Sequence, residues 1–215
     1  AFAKGGETRY LVAELGMTGL LLFASVAIKL PQHIHARLVF DGGKETELRY
    51  WNPRRFGCLR LLDQGGLEQY VRKRFGSDPL AVTIEDFTAR IQERRGRLKP
   101  LLMRQQVIAG IGNIYANEIL FRAGLHPHAR VNRLAPSSRE RLYHVTRTVL
   151  TEAIACGGSS VRDFFAPDGG EGSYKQYHLV YGKTGQPCPN RCGATIRRLK
   201  GERSSFYCPR CQRRR

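Results

Sequence analysis

Four cysteines near the carboxyl end of the chain constrain its fold more than any other feature. They form two close pairs, Cys188 with Cys192 and Cys208 with Cys211, and 15 residues separate the pairs. This spacing is typical of a site in which four thiolates bind zinc. A hairpin this short buries too little apolar surface to hold itself, so we expect one tightly bound structural Zn2+ per chain.

Two disulfides or a redox site are the alternatives for these cysteines. The other two cysteines, Cys58 and Cys156, are isolated, and the start of the chain has no signal-peptide pattern. The longest apolar run, Leu20–Val26, is too short to cross a bilayer. A reducing, cytoplasmic compartment fits these observations, and there paired cysteines favour metal over disulfides.

The charge of the chain indicates a polyanionic partner. The net charge is +18 over 215 residues, and the stretch from Cys188 to Arg215 holds nine Lys or Arg and a single acid, Glu202. A membrane surface is the alternative, but we find no basic amphipathic helix with a bulky apolar face. The sequence therefore favours nucleic acid as the partner and no membrane.

The first 62 residues have the pattern of strands. A strong turn signal, Asp41-Gly-Gly43, lies between two of them. The pattern predicts a meander of five short strands, the material of a sandwich or barrel. The predicted strands are Thr8–Leu15, Leu20–Lys29, Ala36–Phe40, Glu47–Trp51 and Phe56–Leu62.

The period becomes helical from about residue 78. Thr83 with Asp86 resembles a capping box, and Ser137 with Glu140 predicts a second one. We expect the second helix to end at Gly157.

Gly110 and Gly112 predict a tight turn that opens a further helix, which ends at Gly124. Free backbone N–H groups at such a helix start bind phosphate, and Asn113 adds a side-chain donor. A plain helix–helix turn is the alternative.

Two smaller patterns suggest contacts to DNA. The segment Pro53-Arg-Arg-Phe-Gly57 places Arg54 and Phe56 on a loop, where the ring could enter a base stack while the guanidinium bonds the orphaned base. A surface arginine pair beside a core Phe is the alternative. His33 and His35 alternate on one strand face, where they could contact phosphate, or bind metal only with a third ligand.

Together these segments resemble the formamidopyrimidine-DNA glycosylase/endonuclease VIII family of base-excision repair enzymes. The resemblance follows the family's order over essentially the whole chain. The region Gly157–Phe164 with Asp168–Tyr174 is similar to the formamidopyrimidine branch, which excises 8-oxoguanine. The matching segments are Leu15–Gly19, Asn52–Gly57, Ala109–Glu118, Phe121–Pro127, Val180–Cys188 and Arg203–Gln212.

The resemblance implies an α+β, multi-domain fold. It predicts the remainder of an N-terminal antiparallel β-sandwich over residues 1–64 and a linker over 65–77. A helix-two-turn-helix domain is expected over 78–178, and a β-hairpin zinc finger over 179–215.

The resemblance also implies an activity. The parent protein is expected to be a bifunctional glycosylase/AP lyase that removes oxidised purines, 8-oxoguanine and formamidopyrimidines, from double-stranded DNA. We expect a monomer associated with the nucleoid. The competing hypotheses are a non-catalytic damage-binding module of the same fold and a zinc-containing RNA-binding protein.

Specific residues match the family's functional positions. Those expected to fill the space left by the flipped base are Met17, Arg54 and Phe56, with Arg54 facing the widowed cytosine. Those expected to contact DNA phosphates are His33, Lys99, Asn113 and Arg203, and Arg95 falls at a DNA-contacting lysine position. Arg203 is also expected to assist the second elimination step. The loop Asp168–Tyr174, including Tyr174, would close over the flipped base.

The chain departs from the family pattern at the first zinc knuckle. Here the knuckle is Cys188-x-x-x-Cys192 rather than CxxC, and the following span is one residue shorter. We still expect zinc to bind, but the fingertip position of Arg203 is left open.

The second departure concerns the nucleophile. Enzymes of this family attack C1′ of the damaged nucleotide with the secondary amine of an N-terminal proline, and a glutamate and a lysine assist. Here Phe2–Glu7 has the pattern of a hairpin turn whose first strand is absent, and Lys4 lies after that strand. Glu7 and Glu14 are interpreted as solvated strand acids. We therefore expect a fragment that does not excise 8-oxoguanine by itself.

Overall fold

The structure is a computed structural model that describes residues 1–4, 6–16, 19–23, 32–40, 47–159 and 172–214. Met17, the predicted turn at Asp41–Gly43 and most of the loop before Tyr174 lie outside these ranges. The chain divides into two compact units. The first contains Ala1–Val71 and Gly157–Lys175, and the second contains Arg72–Cys156 and Gln176–Arg215.

The first unit contains two antiparallel three-stranded sheets, ordered β1-β2-β6 and β3-β5-β4. The prediction of strands is confirmed, but that of a simple meander is wrong. The last strand returns to pair with β2, from Tyr10 opposite Leu62 to Glu14 opposite Cys58. The strands are β1 Phe2–Lys4, β2 Glu7–Glu14, β3 Leu20–Phe23, β4 Ile34–Val39, β5 Glu47–Trp51 and β6 Cys58–Leu62.

The start of the chain also differs from the expected turn. Phe2–Lys4 forms β1, in which Phe2 lies opposite Arg9 of β2. Gly6 lies in the turn with a φ of 83°. The turn is therefore tighter than the sequence indicates, because glycine adopts this backbone region at little cost.

A buried hydrogen-bonded chain connects the two sheets. The Tyr50 hydroxyl donates to the Glu14 carbonyl at 2.8 Å, and the Asn52 amide donates to the Tyr50 hydroxyl at 2.6 Å. Gly57 lies directly against this chain, and a Cβ there would collide with the Glu14 carbonyl and the Tyr50 hydroxyl. The β5–β6 loop is thereby held against the end of β2.

Helices follow the strands along the chain; the first, α1 (Gln64–Arg74), lies mostly in the first unit, and the later ones lie in the second. One of them, α1, occupies most of the predicted linker, which the apolar pattern did not indicate because none of its residues is buried. Short 3-10 turns lie at Val131–Arg133 and Tyr174–Tyr177. The helices are α1 Gln64–Arg74, α2 Ile84–Gln92, α3 Leu98–Leu102, α4 Asn113–Arg122 and α5 Pro136–Ala155.

The structure confirms two of the predicted helix ends and contradicts a third. The Thr83 hydroxyl accepts the Asp86 N–H at 3.2 Å, so this cap is confirmed. The second capping box is wrong, because α5 begins at Pro136 after an Ala135 without a side-chain cap. Proline suits this first position because its φ is preset and the missing N–H would be unpaired anyway. The predicted end is confirmed by Gly157, with a φ of 69°.

Two clusters stabilise the second unit. Apolar side chains of α2, α4 and α5 are fully buried, among them Phe87, Ile119 and Leu142. Each such side chain contributes roughly 1.5–3 kcal/mol. A second cluster joins Phe121 of α4 to Phe206 of the finger. Among the described residues, none of the helices has the length and apolar character needed to span a membrane.

Candidate metal centre and DNA-contacting surfaces

The four predicted cysteine ligands converge at one point of the finger. Their sulfur atoms all lie within 4.8 Å of one another. The Sγ–Sγ distance is 3.7 Å for Cys188–Cys211 and 3.4 Å for Cys192–Cys208. Tetrahedral zinc with Zn–S bonds of about 2.3 Å needs sulfurs about 3.8 Å apart. The four thiolates therefore fit a metal ion, and neither Cys58 nor Cys156 belongs to this cluster.

Backbone conformation accommodates the extra residue of the first knuckle. Arg191 has a φ of 50°, and Gly193 has a φ of 80°. The Arg191 N–H donates to the Cys188 carbonyl at 2.9 Å, which closes a tight turn. Two left-handed positions, one on either side of Cys192, thus return its thiol to the ligand set.

Lys99 lies beneath the fingertip, which is the turn at residues 200–204 of the finger hairpin. The finger hairpin consists of β7 Arg197–Leu199 and β8 Ser205–Tyr207, and Arg203 is exposed in the turn between them. The Lys99 ammonium donates to the Ser204 carbonyl at 2.6 Å and to the Ser205 hydroxyl at 3.1 Å. Lys99 is 3% exposed, so burial, with the neighbouring Arg203 charge, lowers its pKa to about 8.

Asn117 connects Asn113 to the same hairpin. Its amide donates to the Asn113 carbonyl at 2.7 Å, and its Oδ1 accepts the Phe206 N–H at 2.7 Å. The side chain is fully buried. The side-chain amide of Asn117 therefore fixes the start of α4 relative to β8.

The glycine turn before α4 is braced by a residue that the sequence did not single out. Gly110 has a φ of 83°, and its N–H donates to the Gln105 Oε1 at 2.8 Å. The Gln105 amide in turn donates to the Ile111 carbonyl at 3.0 Å. Gly112 precedes the helix without a side-chain cap. Gly112 offers no side chain to cap the start of α4, and an uncapped helix start of this kind attracts anions, here beside the half-buried Asn113.

Glu118 is a second residue that sequence reasoning missed. Its buried carboxylate accepts the N–H groups of Leu179, Val180 and Tyr181 at 2.7, 3.1 and 2.8 Å. An acid among the apolar positions of α4 was the only signal, and it does not reveal the partner. Glu118 fastens the segment leading into the finger to α4.

Arg54 and Phe56 lie together on the loop between β5 and β6. The guanidinium carbon of Arg54 lies 5.1 Å from the centre of the Phe56 ring, and Phe56 is 64% exposed. The alternative of a core Phe is therefore wrong. Gly16 has a φ of 66°, and a Cβ there would approach the Phe56 backbone to 3.0 Å. Gly16 therefore lies against the Phe56 loop, whereas Met17, the next residue, is outside the described residues.

The remaining predicted DNA contacts have diverse settings. Arg95 is exposed in the loop between α2 and α3, and His33 is exposed with a φ of 66°. The other strand histidine, His35, contacts the Asn52 carbonyl at 3.0 Å through Nε2. Tyr174 is only 1% exposed, and its N–H donates to the Gly158 carbonyl at 3.0 Å.

The expected solvated acids on β2 also differ from each other. Glu7 is exposed and pairs with Arg9 at 3.1 Å. Glu14 is half-buried and accepts the Tyr70 hydroxyl at 2.6 Å, so its interpretation as a solvated acid is wrong.

Three family models match successive parts of the chain. The formamidopyrimidine-DNA glycosylase N-terminal domain matches residues 2–59, and the H2TH domain of the same enzymes matches residues 75–165. The zinc finger found in FPG and IleRS matches residues 185–214.

Similar proteins agree with these matches. The formamidopyrimidine-DNA glycosylase of Solibacter usitatus is 42% identical over 217 residues, which cover 100% of this chain and 77% of that protein. The one from Thermomicrobium roseum is also 42% identical, covering 94% of this chain and 74% of that protein.

Solved structures give the same picture. The MutM (FPG) protein of Thermus thermophilus is 38% identical with a TM-score of 0.84, over 96% of this chain and 77% of that one. Lactococcus lactis Fpg in complex with abasic-site DNA is 31% identical with a TM-score of 0.83, over 96% and 76%. The chain therefore belongs to the formamidopyrimidine-DNA glycosylase family of base-excision repair enzymes.

Proposed function

We propose that the parent protein excises oxidised purines, 8-oxoguanine and formamidopyrimidines, from double-stranded DNA and then cleaves the abasic strand as an AP lyase. Solved relatives bound to Fapy-dG DNA and to carbocyclic 8-oxo-G DNA support this substrate class. The observation that carries the proposal is the exposed Phe56 ring beneath the Arg54 guanidinium, on a loop held by the buried Asn52.

We assign damage probing to this loop. Phe56, together with Met17, enters the stack when the damaged nucleotide leaves the helix. Arg54 then donates to the base that has lost its partner, for which cytosine offers O2 and N3 as acceptors. The cation–π contact keeps the guanidinium at the ring and so couples the two actions.

We assign phosphate binding to the second unit and to His33. Asn113 and the uncapped N–H groups of α4 form one anion site, and the exposed fingertip Arg203 forms another. Arg95 and His33 contact flanking phosphates. Lys99 contributes its charge from below the fingertip, and the loop Asp168–Tyr174 closes over the flipped base.

The lyase step requires an amine that attacks C1′, expels the base and leaves an imine between sugar and protein. We propose that Arg203 assists the later elimination. We also propose that the 215-residue polypeptide, whose Ala1 amine precedes β1, forms no such imine.

Borohydride trapping tests whether an imine forms, both in the 215-residue polypeptide and in a longer one, since it reduces the imine to a stable covalent complex. We expect no trapped complex from Ala1–Arg215 on 8-oxoguanine duplex, and efficient trapping by a longer polypeptide that begins with Pro-Glu. Trapping by Ala1–Arg215 would contradict its inactivity. A longer polypeptide that binds the lesion but never traps would favour the non-catalytic damage-binding module.

We further propose that the four-cysteine site holds one structural zinc. The thiolates would serve as its four protein ligands, which leaves no open position for chemistry and makes metal binding part of the folding energy. Metal analysis is expected to return one zinc per chain. Disulfides among Cys188, Cys192, Cys208 and Cys211 in mass spectrometry would refute the site.

The remaining proposals concern organisation. We propose domain limits at 1–64, 78–178 and 179–215, a monomer, and a cytoplasmic, nucleoid-associated location. Sedimentation of the protein with and without duplex tests the monomer, because a dimer would bind DNA with doubled protein stoichiometry.

A further inference from the structure

An arginine-rich cavity of about 590 Å³ lies between the start of α5 and the second zinc knuckle. We call it the arginine basin. No carboxylate is among its lining residues, and His126, Ser137 and Ser138 add polar groups. Its arginines are Arg130, Arg133, Arg141, Arg210 and Arg213.

Two of these arginines are held in place by the fold. The Arg141 Nε on α5 donates to the Ala123 carbonyl at 2.9 Å, and an Arg210 Nη of the finger donates to the Cys192 carbonyl. They stand on different elements of the second unit and lie on the same cavity. The other donors of these guanidinium groups remain for a ligand, because each arginine carries five N–H groups.

The electrostatics of the basin call for an anion. Five exposed positive side chains repel one another when no acid lies between them. The 20-residue α5 begins beside them without a side-chain cap and without an acid in its first turn. Its dipole adds further positive potential at this point. Arginines bind phosphate oxygens through two parallel hydrogen bonds, which makes phosphate the anion that fits best.

The position of the basin indicates which phosphate. His126 lines the basin, whereas His128 lines a separate cavity of about 320 Å³ that contains Lys99 and Arg203. The two histidine rings lie 5.8 Å apart, so the basin adjoins the fingertip surface. A DNA strand that passes the fingertip presents phosphates at each nucleotide step and can continue into the basin.

We propose that the arginine basin binds backbone phosphates of the duplex outside the lesion and so extends the DNA footprint beyond the fingertip. This inference rests on the DNA binding described under Proposed function. Free phosphate has the same chemistry, and the experiment distinguishes the two sources.

The test compares two lesion duplexes, a short one limited to the lesion and its neighbours and a longer one extended on either side. The variant Arg130→Gln/Arg133→Gln/Arg213→Gln removes three basin charges that have no side-chain hydrogen bond to lose in the described structure. The control Arg72→Gln/Lys73→Gln/Arg90→Gln removes the same charge from exposed faces of α1 and α2. Zinc content and unfolding midpoint confirm that both variants fold.

We expect the wild type and the control to bind the longer duplex at least tenfold more tightly than the short one, and the basin variant to lose most of that gain. The log–log salt slope on the long duplex should weaken by about 0.9 for each lost contact. Equal weakening on both duplexes, or an undiminished length gain, would overturn the proposal. A third outcome would also overturn it: inorganic phosphate raises the unfolding midpoint of the wild type but not of the basin variant, while both bind the longer duplex with the same gain in affinity. Failure of the wild type on the short duplex would instead contradict the proposed function.

Discussion

At the scale of single residues, Asn52 explains how the loop that carries Arg54 and Phe56 is presented to solvent. Its N–H donates to the His33 carbonyl at 3.0 Å, and its carbonyl accepts the Arg55 N–H at 3.3 Å. Asn52 is 1% exposed, and Arg55 beside Phe56 has a φ of 55°. The backbone of buried Asn52 therefore fixes a turn that leaves Phe56 in solvent. An isolated loop would avoid the strained conformation of this turn.

We expect Arg54→Ala to reduce discrimination of the base opposite the lesion by roughly 1–3 kcal/mol, because a guanidinium reads that base through its acceptors. Affinity for undamaged duplex should change little. Competition binding with each of the four bases opposite 8-oxoguanine measures this discrimination. Arg55→Asn is the matched control, since asparagine tolerates the positive φ. Equal losses for both variants would contradict the assignment.

Lys99 should produce a pH dependence of DNA binding. Its pKa of about 8 in the folded chain lies below the value of about 10.4 for a free lysine. As the pH rises through 8, the ammonium loses its charge, its hydrogen bonds to the fingertip weaken, and affinity should fall. Lys99→Arg stays charged, so its affinity should change less between pH 7 and pH 9.5, as measured by fluorescence anisotropy.

Stability should respond with the opposite sign. Between about pH 8 and 10.4 the unfolded chain holds a proton on Lys99 that the folded chain has lost, so the free energy of unfolding rises with pH in that window. Denaturant titrations of the wild type relative to Lys99→Arg measure this difference. A difference that stays constant over this window would show that Lys99 keeps its proton beneath the fingertip.

At the scale of elements, the finger depends on its first knuckle. Arg191 holds a left-handed conformation that costs an L-residue about 1–2 kcal/mol. Arg191→Gly should leave zinc affinity unchanged or higher, whereas Arg191→Val should lower it by about 1–2 kcal/mol because branching at Cβ disfavours this region. Chelator competition measures both affinities. Identical affinities for the two variants would refute the strained knuckle.

The attachment of the finger to α4 should depend on the charge of Glu118. Glu118→Gln replaces one accepting oxygen by a donor that faces backbone N–H groups, which should cost about 2–3 kcal/mol of unfolding free energy. Glu140→Gln on the exposed face of α5 is the control and should cost less than about 0.5 kcal/mol. Chemical denaturation compares them, and similar costs would show that Glu118 is replaceable.

At the scale of the whole molecule, the charge of +18 should dominate affinity for any duplex. Each phosphate contact releases counterions and contributes a log–log salt slope of about −0.9. We therefore expect a steep slope that is nearly the same for lesion and undamaged duplexes, while the ratio of the two affinities varies little with salt. Anisotropy titrations over a salt series measure this, and a shallow slope would contradict phosphate-dominated binding.

Local features that carry their own physical requirement were predictable from the sequence. The four thiolates at Cys188, Cys192, Cys208 and Cys211 are needed to fold a small hairpin, and their spacing predicted a site that the structure assembles. The Thr83 cap and the glycine turn at Gly110 were predictable because a few neighbouring residues decide them. The order of the matched segments sufficed to indicate the family.

Only the tertiary structure decided contacts between residues distant in the chain. Three such contacts join segments whose local sequence patterns do not predict each other. They are the pairing of β6 with β2, the burial of Lys99 beneath Ser204, and the hydrogen bond from the Leu179 N–H to Glu118. The arginine basin likewise combines Arg130 with Arg213. Short-range propensity selects helices, strands and ligand spacing, but the partner of a buried charge is selected by packing of the whole second unit, where an unpaired buried group would be too costly.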